Sequence, residues 1–274
     1  MTHQWFEDDI TVSKVSIHYT RTGRGDKPPL VLLHGFSDNG KCWTPVAHDL
    51  EADYDLILPD ARGHGLSARV EPGEVIDMAA DTAALIQSLR LEQPVVGGHS
   101  MGASVTAELG GRFAGLARAL ILEDPAWRVE TPTEDDEVEK EHPNPFREWI
   151  LELKDMSVEE LMEKCRTDNP TWQEAELRPW AESKQQLDVN IVQTLPPIRF
   201  DWQEVVRGIV RPTLLITSEP GKGAVVTPEI AKKAAKMNNY IRVAKVSGAG
   251  HNIRRENYVE YLRGLRGFLK DIGW

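Results

Sequence analysis

Gly98-His99-Ser100-Met101-Gly102 constrains this chain more than any other stretch, because it sets a serine between glycines where an apolar run gives way to a helical one. Pro94-Val95-Val96-Gly97 is short, β-branched and bounded by glycine, whereas Ala103 to Phe113 is rich in Ala, Glu and Leu. The pattern predicts strand, sharp turn, helix. In such a turn the serine takes a strained backbone conformation that only small neighbours permit, and its hydroxyl is pushed into the open above the sheet edge. On its own the pentapeptide is weak, since a glycine-containing loop produces the same letters by chance.

Three further marks stand in order along the chain. His34-Gly35-Phe36 follows the buried-strand pattern Leu30 to Leu33, and Asp60-Ala61-Arg62-Gly63-His64-Gly65-Leu66-Ser67 follows Tyr54 to Leu58. Gly250-His251-Asn252 follows Ile241 to Val246 and a flexible Ser247 to Gly250 loop. With the serine turn, these marks resemble the α/β-hydrolase superfamily, in its lidded esterase and lipase-like group, over almost the whole chain. The resemblance implies an α/β fold whose mostly parallel sheet is flanked by helices, with a helical lid inserted after the sixth strand. It assigns residues 1–125 and 211–274 to the core and 126–210 to the lid. It also makes the Asp60 to Ser67 loop a structural turn, so Arg62 and His64 are not catalytic candidates.

A serine hydroxyl is a poor nucleophile at its free pKa and needs a base, itself oriented by an acid. The family's chain order of serine, acid, histidine leaves His142 and His251 among the eight histidines. His142 sits in the solvated segment Glu139 to Pro143, so His251 is the expected base. The resemblance places the acid just after the strand Thr213 to Ile216, where Glu219 is the only carboxylate in Thr217 to Gly223. Asp124, at the end of the preceding strand, is the competing acid; its plainer reading is a turn residue before Pro125. The oxyanion hole is expected from the backbone amides of Phe36 and Met101.

The rest of the chain alternates in the same sense. Ile10 to Arg21 reads as an edge hairpin, and Asp77 to Leu91 as a helix with a stripe through Ala80, Ala84, Leu85 and Leu89. Thr227 before Pro228 reads as a helix N-cap. The last helix sets Tyr258, Tyr261, Leu262, Leu265, Phe268 and Leu269 on one face. Between Asp124 and Arg211 no strand pattern is evident, only helix-like stretches broken by Pro132, Pro143, Pro145, Pro170, Pro179 and Pro196-Pro197. That stretch holds Trp127, Trp149, Trp172, Trp180 and Trp202, five of eight tryptophans, and Trp127 is the one expected to line the substrate pocket. Arg128 and Arg199 are lid arginines that would admit a charged substrate.

At 274 residues and 41% hydrophobic, the chain has enough apolar material for one full core. A formal net charge of −11 argues against nucleic acid or an anionic membrane as partner. The seven carboxylates of Glu130 to Glu141 read as a solvated run. Two cysteines, Cys42 and Cys165, without metal-ligand spacing imply neither a disulfide framework nor a zinc site, and a serine mechanism needs no cofactor. An acidic start without an apolar run lacks the pattern of a signal peptide and implies a cytoplasmic location.

A serine nucleophile argues against epoxide opening and halide displacement, for which relatives use aspartate at this position. Met101 matches the common esterase pattern rather than the tryptophan of proline-selective peptidases. The expected function is hydrolysis of a small carboxylic ester or lactone through an acyl-enzyme. Carbon–carbon bond hydrolysis of ring-cleavage products and a triad-bearing ligand sensor are the alternatives.

Overall fold

The computed structural model describes residues 5–127, 145–191 and 201–274. Two strands, β1 (Phe6–Val12) and β2 (Val15–Arg21), pair antiparallel through Ser13 and Lys14, whose φ angles of 47° and 75° make the two-residue turn that a right-twisted hairpin favours. Six parallel strands follow: β3 (Pro29–Leu33), β4 (Asp55–Pro59), β5 (Val95–His99), β6 (Ala119–Glu123), β7 (Thr213–Thr217) and β8 (Ile241–Lys245). The sheet order is β1-β2-β4-β3-β5-β6-β7-β8. Chain direction across the sheet reverses between β3 and β5. At such a switch point the loops leaving neighbouring strands diverge and open a crevice at the carboxyl ends.

The period of two along the strands sends alternate residues to opposite faces. Val31, Leu33, Val96, Leu120 and Leu122 meet the helices α2 (Met78–Ser88) and α3 (Met101–Arg112) on one face. Leu30, Leu32, Leu56, Leu58 and Ile121 meet α1 (Thr44–Leu50) and the C-terminal helix on the other. The stripe expected on α2 is only part of its buried surface. Ala79, Ala83 and Ile86 are buried as well, because α2 packs on the sheet with one flank and uses Ala84, Leu85 and Leu89 against the β1–β2 hairpin with the other.

Between β6 and β7 the described residues form α4 (Pro145–Lys154), α5 (Val158–Asp168), α6 (Glu174–Gln186) and α7 (Trp202–Gly208), and no strand. Leu153, Leu161 and Ala181, with Trp149 and Trp180, make a small core of their own. Ile150, Leu187 and Ile191 join Val70 and Phe36 where these helices meet the sheet domain. By contrast α7 packs on the main core through Trp202 and Val206. Arg128, Arg199, His142, Pro132, Pro143, Pro196-Pro197 and the acidic run from Glu130 to Glu141 lie outside the described residues.

The remaining helices are α8 (Pro228–Met237), capped by the Thr227 hydroxyl as expected, α9 (Ile253–Glu256) and α10 (Tyr258–Asp271). The apolar face of α10 is buried through Tyr261, Leu265, Phe268 and Leu269. Cys42 and Cys165 are free, buried thiols, pushed up by burial to about 12 and about 11. Among the described residues no helix is long and apolar enough to cross a membrane.

Candidate active site

Ser100 lies between the end of β5 and the start of α3, with φ 52° and ψ −114°. A non-glycine residue held in a sparsely populated region costs about 1–3 kcal/mol and persists only where its surroundings over-determine it. The surroundings here are two glycines without room for a side chain. A Cβ on Gly98 would lie 2.3 Å from the carbonyl oxygen of Gly102, and one on Gly102 would lie 2.4 Å from the oxygen of Leu33 and 2.5 Å from that of His34. This close approach packs the first turn of α3 against the end of β3. A Cβ on Gly35 would be 3.5 Å from that of Ser100, so the His34-Gly35-Phe36 loop borders the serine. Ser100 occupies the N-cap position of α3, yet its hydroxyl makes no capping bond. Its amide donates to Glu123 O at 2.9 Å, tying the turn to the end of β6.

The next residue is Asp124, fully buried and at φ 41°, a region that aspartate tolerates better than most side chains. Its two oxygens accept the amides of Val225 at 2.8 Å and Val226 at 2.9 Å. Oδ2 also lies 2.6 Å from Nδ1 of His251. With the carboxylate accepting throughout, Nδ1 of His251 carries the proton and Nε2 is left as the basic nitrogen. His251 sits in the loop after β8, where Gly250 is forced: a Cβ there would lie 2.0 Å from Lys222 O.

Glu219, the acid favoured from its place after β7, does not reach the imidazole. Its chain turns at once into the short Pro220–Lys222 helix, and its Oε1 accepts the Gly248 amide at 2.8 Å. Glu219 therefore braces the loop that carries His251, while Asp124 is the carboxylate the fold brings to the ring.

Met101 opens α3, so its amide is among the first four that have no acceptor within the helix. Phe36 lies in a turn closed by Asp38 N donating to Gly35 O at 3.1 Å, and its ring stands edge-on to His64 at 5.9 Å. His34 accepts from Ala61 N at 2.9 Å through Nε2 and so donates through Nδ1 to Gly35 O at 2.8 Å. The Asp60 to Ser67 loop is a structural turn, with the Asp60 carboxylate accepting from Gly40 N and Leu66 N, both at 2.7 Å. Behind Met101 and Gly102 lies a mainly apolar cavity of about 30 Å³, lined also by Leu33, His34, Thr82, Leu85 and Val105.

Trp127 is not among the residues lining that cavity. Its side chain is fully buried, stacked on Trp202 with ring centres 5.3 Å apart and planes 15° from parallel, in the core under α3 and α7. Between the end of β6 and this indole the chain makes a tight turn, with Trp127 N donating to Pro125 O at 2.7 Å.

Sequence reading missed a buried charge cluster beside the site. Asp38, two residues after Phe36, faces Arg255 at 3.0 Å, Lys184 at 3.2 Å and Arg254 at 3.6 Å. Arg255 also pairs with Glu176 at 2.9 Å and lies over the Trp172 ring, and Arg254 pairs with Glu123 at 3.4 Å. Burial alone would raise the Asp38 carboxyl, but Arg255, Lys184 and Arg254 outweigh it and hold it well below the usual carboxylate range. These residues come from four separate segments, and no local pattern announces their meeting. His99, whose Nε2 donates to His251 O at 3.0 Å, is kept neutral mainly by burial, with Arg254 adding to the effect. Among the described residues no three His, Cys, Asp or Glu side chains are grouped to hold a metal ion.

Comparison with known proteins agrees with this architecture. The alpha/beta hydrolase family matches residues 30–262. The chain is 24% identical over 273 residues to 2-(acetamidomethylene)succinate hydrolase of Mesorhizobium japonicum, covering 95% of this chain and 94% of that one. It is 25% identical over 268 residues to N-formylmaleamate deformylase of Pseudomonas putida, with 95% of each covered. Among solved structures, the N-formylmaleamic acid deformylase of Pseudomonas putida S16 superposes with a TM-score of 0.77 at 22% identity, over 95% of this chain and 100% of that one.

Proposed function

Because this chain belongs to the alpha/beta hydrolase family, we propose that it is a serine hydrolase that cleaves a small carboxylic acyl compound through an acyl-enzyme, with Ser100 as nucleophile, His251 as base and Asp124 as the acid. The observation that carries this reading is the 2.6 Å bond from His251 Nδ1 to the buried Asp124 carboxylate, one residue beyond the carbonyl that holds the Ser100 amide. In the proposed cycle Nε2 of His251 takes the hydroxyl proton as Ser100 Oγ bonds to the substrate carbonyl carbon. The amides of Phe36 and Met101 receive the oxyanion. The tetrahedral adduct collapses, its carbon–heteroatom bond breaks, and the leaving group departs with the proton from His251. Water, deprotonated by the same nitrogen, then releases the acid and frees Ser100. Asp124 stays ionised and stabilises the imidazolium.

An ester or lactone is the substrate class we assign, consistent with an unassisted serine mechanism. Amide cleavage is the second reading, favoured by the two relatives matched end to end, whose names specify N-acyl compounds that also carry carboxylates. The helices from residue 145 to 191 would act as the lid over this site. The test is a panel of short acyl esters, a lactone, an N-formyl and an N-acetyl enamide, and a dienoic ring-cleavage product, scored by kcat/KM. Preference for ester or lactone supports the assignment, preference for an enamide moves it to amide cleavage, and turnover of the dienoic acid alone contradicts it. A melting shift with some panel member but no turnover would point to the sensor alternative.

A further inference from the structure

We propose that Lys184 is a positioning residue, which reaches from α6 to lock the turn bearing Phe36 in the conformation that aims its amide at the substrate oxygen. This rests on the serine-hydrolase reading above. The turn runs Gly35-Phe36-Ser37-Asp38, closed by the 3.1 Å bond from Asp38 N to Gly35 O, and its third residue has φ 65°. Glycine is the usual occupant of a left-handed third position, since any side chain there meets the backbone. This chain has serine. Something outside the turn must hold it.

The fully buried ammonium of Lys184 is placed to do so. Nζ donates to Ser37 O at 2.8 Å and to Ser37 Oγ at 3.0 Å, and thus grips the left-handed residue by its backbone and its side chain together. Asp38 Oδ1 and Ser183 Oγ, each at 3.2 Å, and the Trp180 ring, its centre 4.8 Å away, also face Nζ. The residue after the turn is also tied to α6, by Asn39 Nδ2 donating to Gln186 Oε1 at 2.9 Å. A buried lysine is costly to keep for stability alone. Its two bonds to Ser37 give it a specific role, because without them the turn is free to relax to negative φ, which rotates the peptide planes of the loop that presents the Phe36 amide.

The experiment compares Lys184→Met, Ser37→Gly and the double variant, with p-nitrophenyl acetate as probe. Asp38 keeps Arg255 at 3.0 Å in the absence of Lys184, so its charge remains paired. Lys184→Met is expected to lower kcat by about 5- to 30-fold, the population penalty of an unsupported left-handed residue, with KM changed less than about threefold. Adding Ser37→Gly, which takes positive φ freely, is expected to return kcat to within about threefold of wild type. A Lys184→Met enzyme with wild-type kcat, or a double variant no faster than Lys184→Met, overturns the proposal. If Lys184→Met does not fold, Ser37→Val decides: a β-branched residue resists positive φ, so its kcat is expected to fall, and an unchanged kcat overturns the proposal. Fluorophosphonate labelling of Ser100 separates the two levels, because an active wild type without that adduct removes the serine reading itself, whereas a labelled wild type with the kinetic pattern absent removes only the role of Lys184.

Discussion

The Asp124 carboxylate lies 2.6 Å from Nδ1 of His251, although the two residues are 127 positions apart and leave the sheet from β6 and β8. Between them β7 ends in a loop whose own carboxylate, Glu219, is turned to Gly248. The acid of the proposed triad thus comes from the strand adjacent to the one bearing Ser100, and two backbone amides from Val225 and Val226 fix its orientation.

Asp124→Asn is therefore expected to lower kcat by about 10⁴-fold in folded protein, because an amide that accepts and donates differently leaves the imidazole in the wrong tautomer. Glu219→Gln is expected to cost less than about tenfold, since it retains an oxygen to accept from Gly248. Steady-state kinetics on both variants, with circular dichroism to confirm folding, makes the comparison. The reverse ranking would return the acid to Glu219.

Much of this site is legible in the sequence because its geometry is enforced locally. Gly98, Gly102, Gly35 and Gly250 each stand where a Cβ would meet neighbouring atoms too closely, so the nucleophile, the adjoining loop and the base are marked by residues that no other type replaces. The acid carries no such mark. Glu219 and Asp124 both follow buried strands and both precede a proline, and only tertiary packing tells which one meets the ring. The same holds for Trp127, whose turn at Pro125 decides between pocket and core. It holds for Asp38, Lys184, Arg255 and Glu176 as well, which pair across long separations in the chain. Strand alternation and the α10 stripe are readable because burial imposes periods of two and 3.6; the α2 stripe is readable only in part because that helix buries two flanks.

Trp127→Ala is expected to act on stability rather than on specificity. Removing an indole stacked on Trp202 leaves a large core cavity, at a cost of about 3–5 kcal/mol. Urea denaturation should show the loss, while the ratio of kcat/KM between short and medium acyl esters stays unchanged. A shifted acyl-length profile with unaltered stability would put Trp127 back in the pocket.

His64 supplies a pH-dependent stability prediction. Burial first, and then the neighbouring His34, push it down to about 3, whereas the unfolded chain protonates near its ordinary value of 6.5. Its folded pKa is depressed, so below pH 6.5 the unfolded state holds the extra proton and stability falls with pH until the folded value is reached. Between about pH 6 and about pH 5 wild type should therefore lose about 1 kcal/mol relative to His64→Gln, which has no such group. Urea midpoints of the two proteins at both values provide the check, and parallel pH dependences would show that His64 titrates normally in the fold.

The most direct test of the central claim is the fate of Ser100 in the presence of a fluorophosphonate. Intact-mass and peptide analysis should show one phosphonyl adduct, on Ser100, formed in proportion to the activity lost. His251→Ala and Asp124→Asn should label far more slowly, and Ser100→Ala should neither label nor turn over ester. Full hydrolytic activity without an adduct at Ser100, or near-wild-type kcat in Ser100→Ala, would contradict the serine mechanism.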